Sequence, residues 1–318
     1  MDDADHLPPP ASAHAQALTP TQERLLGLLR RPAEPLVFDE GFVDDLVGEA
    51  TDAIAHFSAR LGGERVWMNK TRLANVHGCE EKYLLPDDFT WSTVTVAGHI
   101  AHRAIELALN WRGEPVPADV VDEAIARAGE GSDDRARFVA GLTDGQRADL
   151  RSRTIDRTTK FLQDFPPLPR ESQPVLEASA RWQANGTIEL TGKVDLAVGK
   201  PHGRESRILI VDFKSGSRSP AHREDLRFYA LVETLRRRVP PRKVASYYLD
   251  FSDSDAEDVT EGTLRSALAR TLDGIERHVE LTIEGRPPVR KKGTPCRWCP
   301  LRETCPDGRD FLQTDGDD

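Results

Sequence analysis

The chain has 318 residues, of which 38% are apolar and 30% charged, with a formal net charge of -10. It is long enough to bury a sizeable core, and no apolar run approaches the roughly 18 residues that a membrane-spanning helix needs. The N-terminus has no basic segment followed by a hydrophobic one. We therefore expect a cytoplasmic protein with no membrane partner.

The first half of the chain is patterned for helices. Residues 1–20 contain three consecutive prolines and no apolar period, which indicates a disordered lead. Residues 21–110 form an N-terminal helical part, with one amphipathic helix over about 38–62 and another in "VAGHIAHRAIELALNW". Residues 111–170 are polar and interrupted by "GEGSDD", and we expect a helical insert there.

The pattern changes to strands in the second half. Within 171–285, the segments "PVLEASARWQA", "TIELTGKVDLAVG" and "SRILIVDFKSG" read as strands separated by hairpin turns. A helix, a strand in "KVASYYLDFSD" and a final amphipathic helix follow. Residues 286–306 carry three cysteines, and 307–318 are acidic, which indicates a disordered tail. The expected fold class is α/β, with a central mixed sheet flanked by helices.

The strand "RILIVDFK" ends in two opposite charges. Asp212 and Lys214 are two positions apart, so they share one face of the strand. The neighbouring strand carries Asp195, and a hairpin of this length can place its carboxylate beside Asp212. Paired carboxylates favour a hard cation such as Mg²⁺ or Mn²⁺, and a nearby lysine can orient or deprotonate a water. The alternative is a structural salt bridge at a strand end.

The surroundings of this pair carry a family resemblance. Glu177 lies on the preceding strand and Tyr229 on the helix that follows Lys214. The run "GKVD" followed by "IVDFKSG" resembles the catalytic core of the PD-(D/E)XK nucleases, in particular their RecB-type branch. In "GHIAHRAIE", Gly98 and His102 match the glycine and histidine that this branch carries on its first helix. The resemblance implies a restriction-endonuclease-like core.

The resemblance also implies roles for matching residues. The side chains of His102, Asp195 and Asp212 would bind the metal together with the backbone carbonyl of Phe213. Lys214 would act on the attacking water. A lone helix histidine is otherwise more often packed or hydrogen-bonded than a metal ligand, and this alternative applies to His102 taken by itself.

Four residues are assigned to the surroundings of the site. His99 lies one helical turn before the expected histidine ligand and is a possible substitute or outer partner. Glu177 and Tyr229 are supporting residues. Asp225 departs from the family, which commonly has glutamine four residues before the tyrosine. The acid at this position leaves two hypotheses open. The protein is either an active nuclease or a catalytically silent module that binds DNA or assembles with other proteins and is held together by a metal cluster.

Four cysteines form a second constellation: Cys79, Cys296, Cys299 and Cys305. Their sparse number argues against a disulfide framework. The C-x2-C pair with a third cysteine six residues later is metal-ligand spacing that suits zinc or an iron-sulfur cluster, and the spacing alone does not choose. The alternative is four unrelated buried cysteines.

Family resemblance favours the cluster. The AddB subunit and CRISPR-associated RecB-like nucleases hold a [4Fe-4S] cluster with one cysteine before the nuclease core and three after it. The same layout here implies a metal cluster whose four cysteine ligands join the N- and C-terminal parts of the chain. Zn²⁺ is the less favoured metal for this cysteine site.

The C-terminal segment is also basic, despite the acidic total. The run "RPPVRKKGTPCRWCPLR" holds six basic residues and no acid. We expect Arg290, Lys291, Lys292 and Arg297 to contact DNA as a rim around the cysteines.

Together these features predict a Mg²⁺- or Mn²⁺-dependent deoxyribonuclease, an exonuclease or an enzyme that processes single strands or ends, as in DNA repair. The chain has no G-x-x-x-x-G-K-[ST] phosphate loop. The resemblance therefore implies that any helicase activity comes from a partner, and CRISPR adaptation proteins are the other possible partners.

Overall fold

The computed structural model describes residues 17–86, 89–184 and 186–314. The helices are α1 (Pro20–Leu29), α2 (Glu40–Arg60), α3 (Lys70–Val76), α4 (Glu80–Tyr83), α5 (Thr93–Leu109), α6 (Pro117–Gly129), α7 (Asp134–Ala140), α8 (Asp144–Asp164), α9 (Pro220–Arg237), α10 (Glu261–Thr282) and α11 (Pro306–Thr314). The strands are β1 (Val66–Met68), β2 (Pro174–Gln183), β3 (Ile188–Val198), β4 (Leu209–Lys214), β5 (Lys243–Tyr248) and β6 (Asp253–Asp258). Within these described ranges, no helix is both long and apolar enough to cross a membrane.

The strands form one mixed sheet. Its order is β1-β3-β4-β5-β6, with β2 also paired to β3. The pairs β2–β3, β3–β4 and β5–β6 are antiparallel, whereas β1–β3 and β4–β5 are parallel. The predicted central mixed sheet is therefore confirmed.

Helices cover both faces of the sheet. Successive side chains along the central strands point to opposite faces, and each face has its own apolar core. Ile210 of β4 packs into a core shared with α2, α9 and α10. Val211 and Phe213 point the other way, into a core shared with α1, α5 and α8. This alternation places Asp212 and Lys214 on the face opposite Phe213.

The predicted helical insert belongs to the body of the protein. Phe161 and Phe165, near the end of α8, pack against Phe213 and Tyr247 of the sheet, with ring centroids 4.9–6.2 Å apart. The preceding α6 and α7 pack on the outer side of α5 and α8. The insert is therefore one of the layers that bury the sheet.

Two strands have no counterpart in the sequence prediction. The first, β1, is only three residues long, too short for a clear alternating pattern. The second, β6, is rich in acids, and the sequence analysis predicted no separate strand there. It forms an edge of the sheet, where charges are tolerated and discourage pairing with other chains. Arg227 pairs with Glu257 at 2.6 Å, and Arg24 with Asp253 at 2.6 Å, so basic side chains compensate the acids.

Residues 1–20 and 307–318 were predicted to be disordered, but the described parts of both segments contribute to helices. Residues 1–16 and 315–318 lie outside the described residues. At the start, Thr19 caps α1 by accepting a hydrogen bond from Gln22 N, so order begins before residue 21. At the end, α11 continues to Thr314. Its Gly308 packs closely against Arg302, and Lys292 holds Asp310 at 2.6 Å.

A buried carboxylate joins the segment around Cys79 to the C-terminal segment. Glu80 is 2% exposed. Its oxygens accept hydrogen bonds from Arg286 at 2.9 Å and from the backbone N–H of Val289 at 2.7 Å. The hydrogen bonds from Arg286 hold the pKa of Glu80 below its ordinary value. Protein contacts alone therefore bring these two distant segments together.

We expect Glu80→Gln to lower the free energy of unfolding by about 1.5–3 kcal/mol at pH 7, because a charged hydrogen-bond acceptor is lost. A depressed carboxyl pKa contributes stability above the ordinary value of 4.5, and this contribution disappears as pH falls through the folded-state pKa. The difference in the free energy of unfolding between the variant and the wild type should therefore become smaller below pH 4.5. Urea unfolding at several pH values measures it, with the exposed Glu64→Gln as control. A difference that does not change with pH would contradict this account.

Candidate active site

The end of β4 presents the aspartate and lysine predicted from the sequence. Asp212 is 2% exposed. Lys214 Nζ lies 2.8 Å from Asp212 Oδ2 and 3.1 Å from Asp225 Oδ2. This Oδ2 atom is buried and is paired with Lys214 as an ion pair. The lysine is thus held between two carboxylates, one of them Asp225, where the family commonly has glutamine.

A second lysine, Lys70, was missed by the sequence analysis. Its Nζ lies 3.0 Å from Asp212 Oδ1 and 3.9 Å from Asp225 Oδ2. Lys70 begins α3, where Asn69 caps the helix by accepting a hydrogen bond from Arg72 N. The only local signal was this cap, and nothing in "WMNKTRL" indicates contact with residues more than 140 positions away. The two lysines and two aspartates together carry no net charge.

These charges determine one another's protonation. Burial raises the pKa of Asp212, but Lys70 and Lys214 outweigh burial and hold that pKa below its ordinary value. Burial lowers the pKa of Lys70, but Asp212, Tyr229 and Asp225 together raise it above its usual range. Asp212 is therefore an anion and Lys70 a cation at neutral pH.

Tyr229 supports this group from α9. Lys70 Nζ lies 5.0 Å from the centroid of its ring, and burial raises the pKa of the phenol, so it stays neutral. The ring also lies against Gly192, where an added Cβ would come within 2.7 Å of it. Glycine at 192 is therefore required for the tyrosine to reach the site.

Asp195 lies across the β3–β4 pair from Asp212. The adjoining pair in the register is Leu196 with Val211. Asp195 Oδ2 accepts a 2.6 Å hydrogen bond from the backbone N–H of Phe213. Its Oδ1 lies 3.2 Å from His102 Nδ1. Asp195 thus connects β4 to α5.

Glu177 lies opposite Asp195 on β2, where the hairpin changes face. Ala178 and Val194 pack into the core under α9 and α10, whereas Leu176 and Leu196 pack on the other side of the sheet. Glu177 has a φ of 52°, in the left-handed region, which a non-glycine strand residue rarely adopts. The backbone change turns Glu177 toward α5.

Among the described residues, His102, Glu177 and Asp195 form a group that could hold a metal ion, here named the metal-ligand group, with one ligand atom from each lying within 4.8 Å of the others. Two carboxylates and an imidazole suit Mn²⁺ or Mg²⁺. The predicted ligands were His102, Asp195, Asp212 and the carbonyl of Phe213, and Glu177 was assigned a supporting role. Asp212 contacts Lys70 and Lys214 in this structure and remains a predicted ligand. Phe213 contributes its N–H to Asp195, and its carbonyl remains a predicted ligand.

The proton on His102 competes with a metal. Burial lowers the pKa of His102, but its hydrogen bond and charge interaction with Asp195 raise it above the ordinary 6.5. His99, the possible substitute, lines the same cavity but lies outside the metal-ligand group. Its Nε2 lies 3.2 Å from Arg135, and its ring contacts Trp91.

The metal-ligand group opens into a cavity of about 800 Å³. His102, Glu177 and Asp195 lie on one side of it. Arg127 and Arg135, from α6 and the α7 region of the predicted insert, lie on the other side. The insert therefore forms one wall of the cleft that leads to the site.

The four cysteines share a separate cavity of about 250 Å³. Cys79 comes from the turn before α4, and Cys296, Cys299 and Cys305 come from the C-terminal segment. The fold thus brings together residues that are more than 200 positions apart in the chain.

The predicted basic rim lies around this second cavity. Arg290, Lys291 and Lys292 line it. Arg290 pairs with Glu81 at 3.1 Å, and Lys292 pairs with Asp310, so acids offset part of the positive charge. The backbone carbonyl of Arg297 accepts a hydrogen bond from Arg302 nearby. The role of these residues in binding DNA stays a prediction.

A mixed sheet flanked by helices, with carboxylates and a lysine on adjoining strands, defines a protein with the restriction-endonuclease-like fold. The chain belongs to the PD-(D/E)XK nuclease superfamily, whose family model matches residues 69–306. The predicted fold class is thereby confirmed, and the chain is a nuclease by family. No curated protein matches the chain.

Solved structures show more distant similarity. A candidate exonuclease from Eubacterium rectale is 14% identical with a TM-score of 0.44, and the alignment covers 77% of this chain and 87% of that chain. Rai1 from Scheffersomyces stipitis is 10% identical with a TM-score of 0.26, covering 68% of this chain and 73% of that chain.

Proposed function

We propose that the protein is a divalent-metal-dependent deoxyribonuclease of the RecB type, acting on single strands or DNA ends as an exonuclease. The proposal rests on one observation: two groups of side chains lie next to each other at the β3–β4 pair. The metal-ligand group, His102 with Glu177 and Asp195, lies beside the Asp212–Lys214 pair, and Asp195 contacts the backbone between them at Phe213 N. Metal ligands next to a lysine are the parts that phosphodiester hydrolysis needs.

The residues divide the reaction between them. A bound Mg²⁺ or Mn²⁺ would neutralise charge on the phosphate as it develops. Lys214 Nζ orients the attacking water and acts as the general acid. As the water oxygen forms the new bond to phosphorus, the water gives a proton to the solvent; the bond to the leaving oxygen breaks, that oxygen takes a proton from Lys214, and the solvent then returns a proton to the lysine. Lys70 keeps Asp212 ionised and in place throughout.

Product analysis tests the specific activity. An oligonucleotide labelled at one end, incubated with Mn²⁺, should yield mononucleotides or short end fragments, and a single-stranded substrate should be cut faster than a blunt duplex. Internal fragments at equal rates from both substrates would contradict an exonuclease that requires single strands or ends. Action beside a helicase or CRISPR adaptation proteins is a further part of the proposal and rests on resemblance alone.

One observation favours the second candidate, a catalytically silent binding or assembly module. Asp225 holds Lys214 Nζ at 3.1 Å, and an acid there competes with a phosphate for the lysine. Lys70 offsets this by adding a second positive charge to the group. If Asp225 keeps the site inactive, the wild type should not cleave DNA and the Asp225→Gln variant should.

We also propose that the four cysteines hold a [4Fe-4S] cluster. All four line one cavity, and its volume of about 250 Å³ accommodates a multi-atom group among the thiols. A single Zn²⁺ is bound directly by four sulfurs and needs no such space. The Glu80 contacts to Arg286 and Val289 hold the two cysteine-bearing segments in position.

Anaerobically purified protein should be coloured and contain about four irons and four sulfides per chain. Cys305→Ser should lose most of the iron and unfold at a lower temperature, whereas Thr304→Ala, an exposed neighbour, should keep both. Metal analysis and visible absorption of the three proteins measure the result. A colourless wild type with one zinc per chain would overturn the cluster and leave the nuclease proposal intact.

A further inference from the structure

Three aromatic rings form a row beside the active-site cavity. The ring centroids of Phe89 and Trp91 are 5.1 Å apart, and those of Trp91 and His99 are 5.7 Å apart. Phe89 is 57% exposed, and His99 is also exposed. Trp91 is partly buried against the core of α5, α6 and α8, which fixes the row to the fold. A large exposed aromatic ring beside a cleft is available for a ligand.

This row leads to the metal-ligand group. His99 lies one turn before His102 on α5, and both line the cavity of about 800 Å³ that contains Glu177 and Asp195. A ligand that stacks on the aromatic row would therefore extend directly toward the site of hydrolysis.

The cavity is lined by side chains of both signs, including three glutamates on or next to α5 and α6. Its positive side chains are suited to a phosphate backbone. Arg127 and Arg135 line the wall formed by α6 and α7, and Lys193 lines the opposite side. In the free protein, Arg127 pairs with Glu123 at 2.7 Å and Lys193 pairs with Glu177. Arg135 Nη1 lies 3.2 Å from His99 Nε2, so it joins the basic wall to the aromatic row. Exposed ion pairs are weak, and phosphates can replace their acids.

We propose that Phe89, Trp91 and His99 form a stacking platform for the unpaired bases of a single-stranded nucleic acid, whose backbone follows Arg127 and Arg135 to the metal-ligand group. The inference rests on the proposed nuclease function and adds the surface that selects the substrate. Stacking on aromatic side chains requires open base faces, which a duplex conceals. The platform therefore discriminates by strandedness and tolerates any base sequence.

Binding without divalent metal tests the platform separately from cleavage. Fluorescence anisotropy with a labelled oligothymidine of about 15 nucleotides, in EDTA, should show about tenfold weaker binding by Phe89→Ala. Phe89→Tyr should restore most of the affinity, since a ring is retained. Phe251→Ala is the matched control, because Phe251 is 61% exposed on the turn between β5 and β6. It should bind like the wild type, and a blunt duplex should bind all four proteins equally.

The outcomes separate the two proposals. Unchanged binding by Phe89→Ala, equal losses on single strands and duplexes, or a wild type that does not bind single strands would each overturn the platform. Cleavage by the wild type would leave the nuclease proposal standing in those cases. Conversely, Phe89-dependent binding by a protein that never cuts in Mn²⁺ would support the platform and overturn the nuclease.

Discussion

Lys214→Ala should lower the rate of DNA cleavage by about 100- to 10,000-fold, the range for loss of a general acid–base group. Its Nζ is held at 2.8 Å from Asp212 and 3.1 Å from Asp225, at the end of the strand that adjoins the metal-ligand group. The fold should survive, because Lys70 remains 3.0 Å from Asp212 and continues to neutralise it. Binding of single-stranded DNA should therefore change little.

Single-turnover cleavage and anisotropy on the same preparation measure the two effects. The control is Lys200→Ala, because Lys200 is exposed and its loss changes the net charge of the protein by the same amount without affecting the site. This variant should cleave DNA at the wild-type rate. If Lys214→Ala cuts as fast as Lys200→Ala, Lys214 does not act in the reaction. If neither variant nor the wild type cuts, the silent module replaces the nuclease.

Asp195→Asn should abolish cleavage and weaken Mn²⁺ binding by at least about 100-fold. Loss of an outer partner of a metal ligand already costs about 10- to 100-fold, and Asp195 is placed as a ligand itself. The asparagine can still accept the hydrogen bond from Phe213 N, so the β3–β4 connection should persist. The variant removes the negative charge while it largely keeps the shape.

Calorimetric titration with Mn²⁺ gives the affinity, and exposed Asp45→Asn on α2 is the control. The Mn²⁺ affinity of the wild type should also fall as pH is lowered through the raised pKa of His102, above 6.5, because a proton then occupies the ligand. Equal affinities for Asp195→Asn and Asp45→Asn would remove Asp195 from the metal site.

Local patterns predicted the nuclease core because its strands are long and bounded by clear turns. Alternation on β4 placed Asp212 and Lys214 on one face, and the strand pairing predicted Asp195 near Asp212. The register pair Leu196 with Val211 adjoins these two aspartates. Ligand spacing grouped the three C-terminal cysteines, the family resemblance added Cys79, and the fold places all four around one cavity.

The parts that were missed depend on tertiary contacts. Lys70 reaches Asp212 only because α3 is folded against α9, and no local pattern encodes that contact. Glu177 joins the metal-ligand group through a change of face in the hairpin, where its φ is 52°. The polar sequence of α8 indicated a helical insert, yet two phenylalanines near its end pack into the core that covers one face of the sheet.

The most direct test of a metal-dependent nuclease is cleavage of end-labelled single-stranded DNA by wild-type protein treated with a chelator, before and after Mn²⁺ or Mg²⁺ is restored. The site predicts no cleavage by the treated protein and recovery when the metal returns, in proportion to occupancy of the group formed by His102, Glu177 and Asp195. Cleavage that persists without metal, or intact DNA at saturating metal, would contradict that assignment.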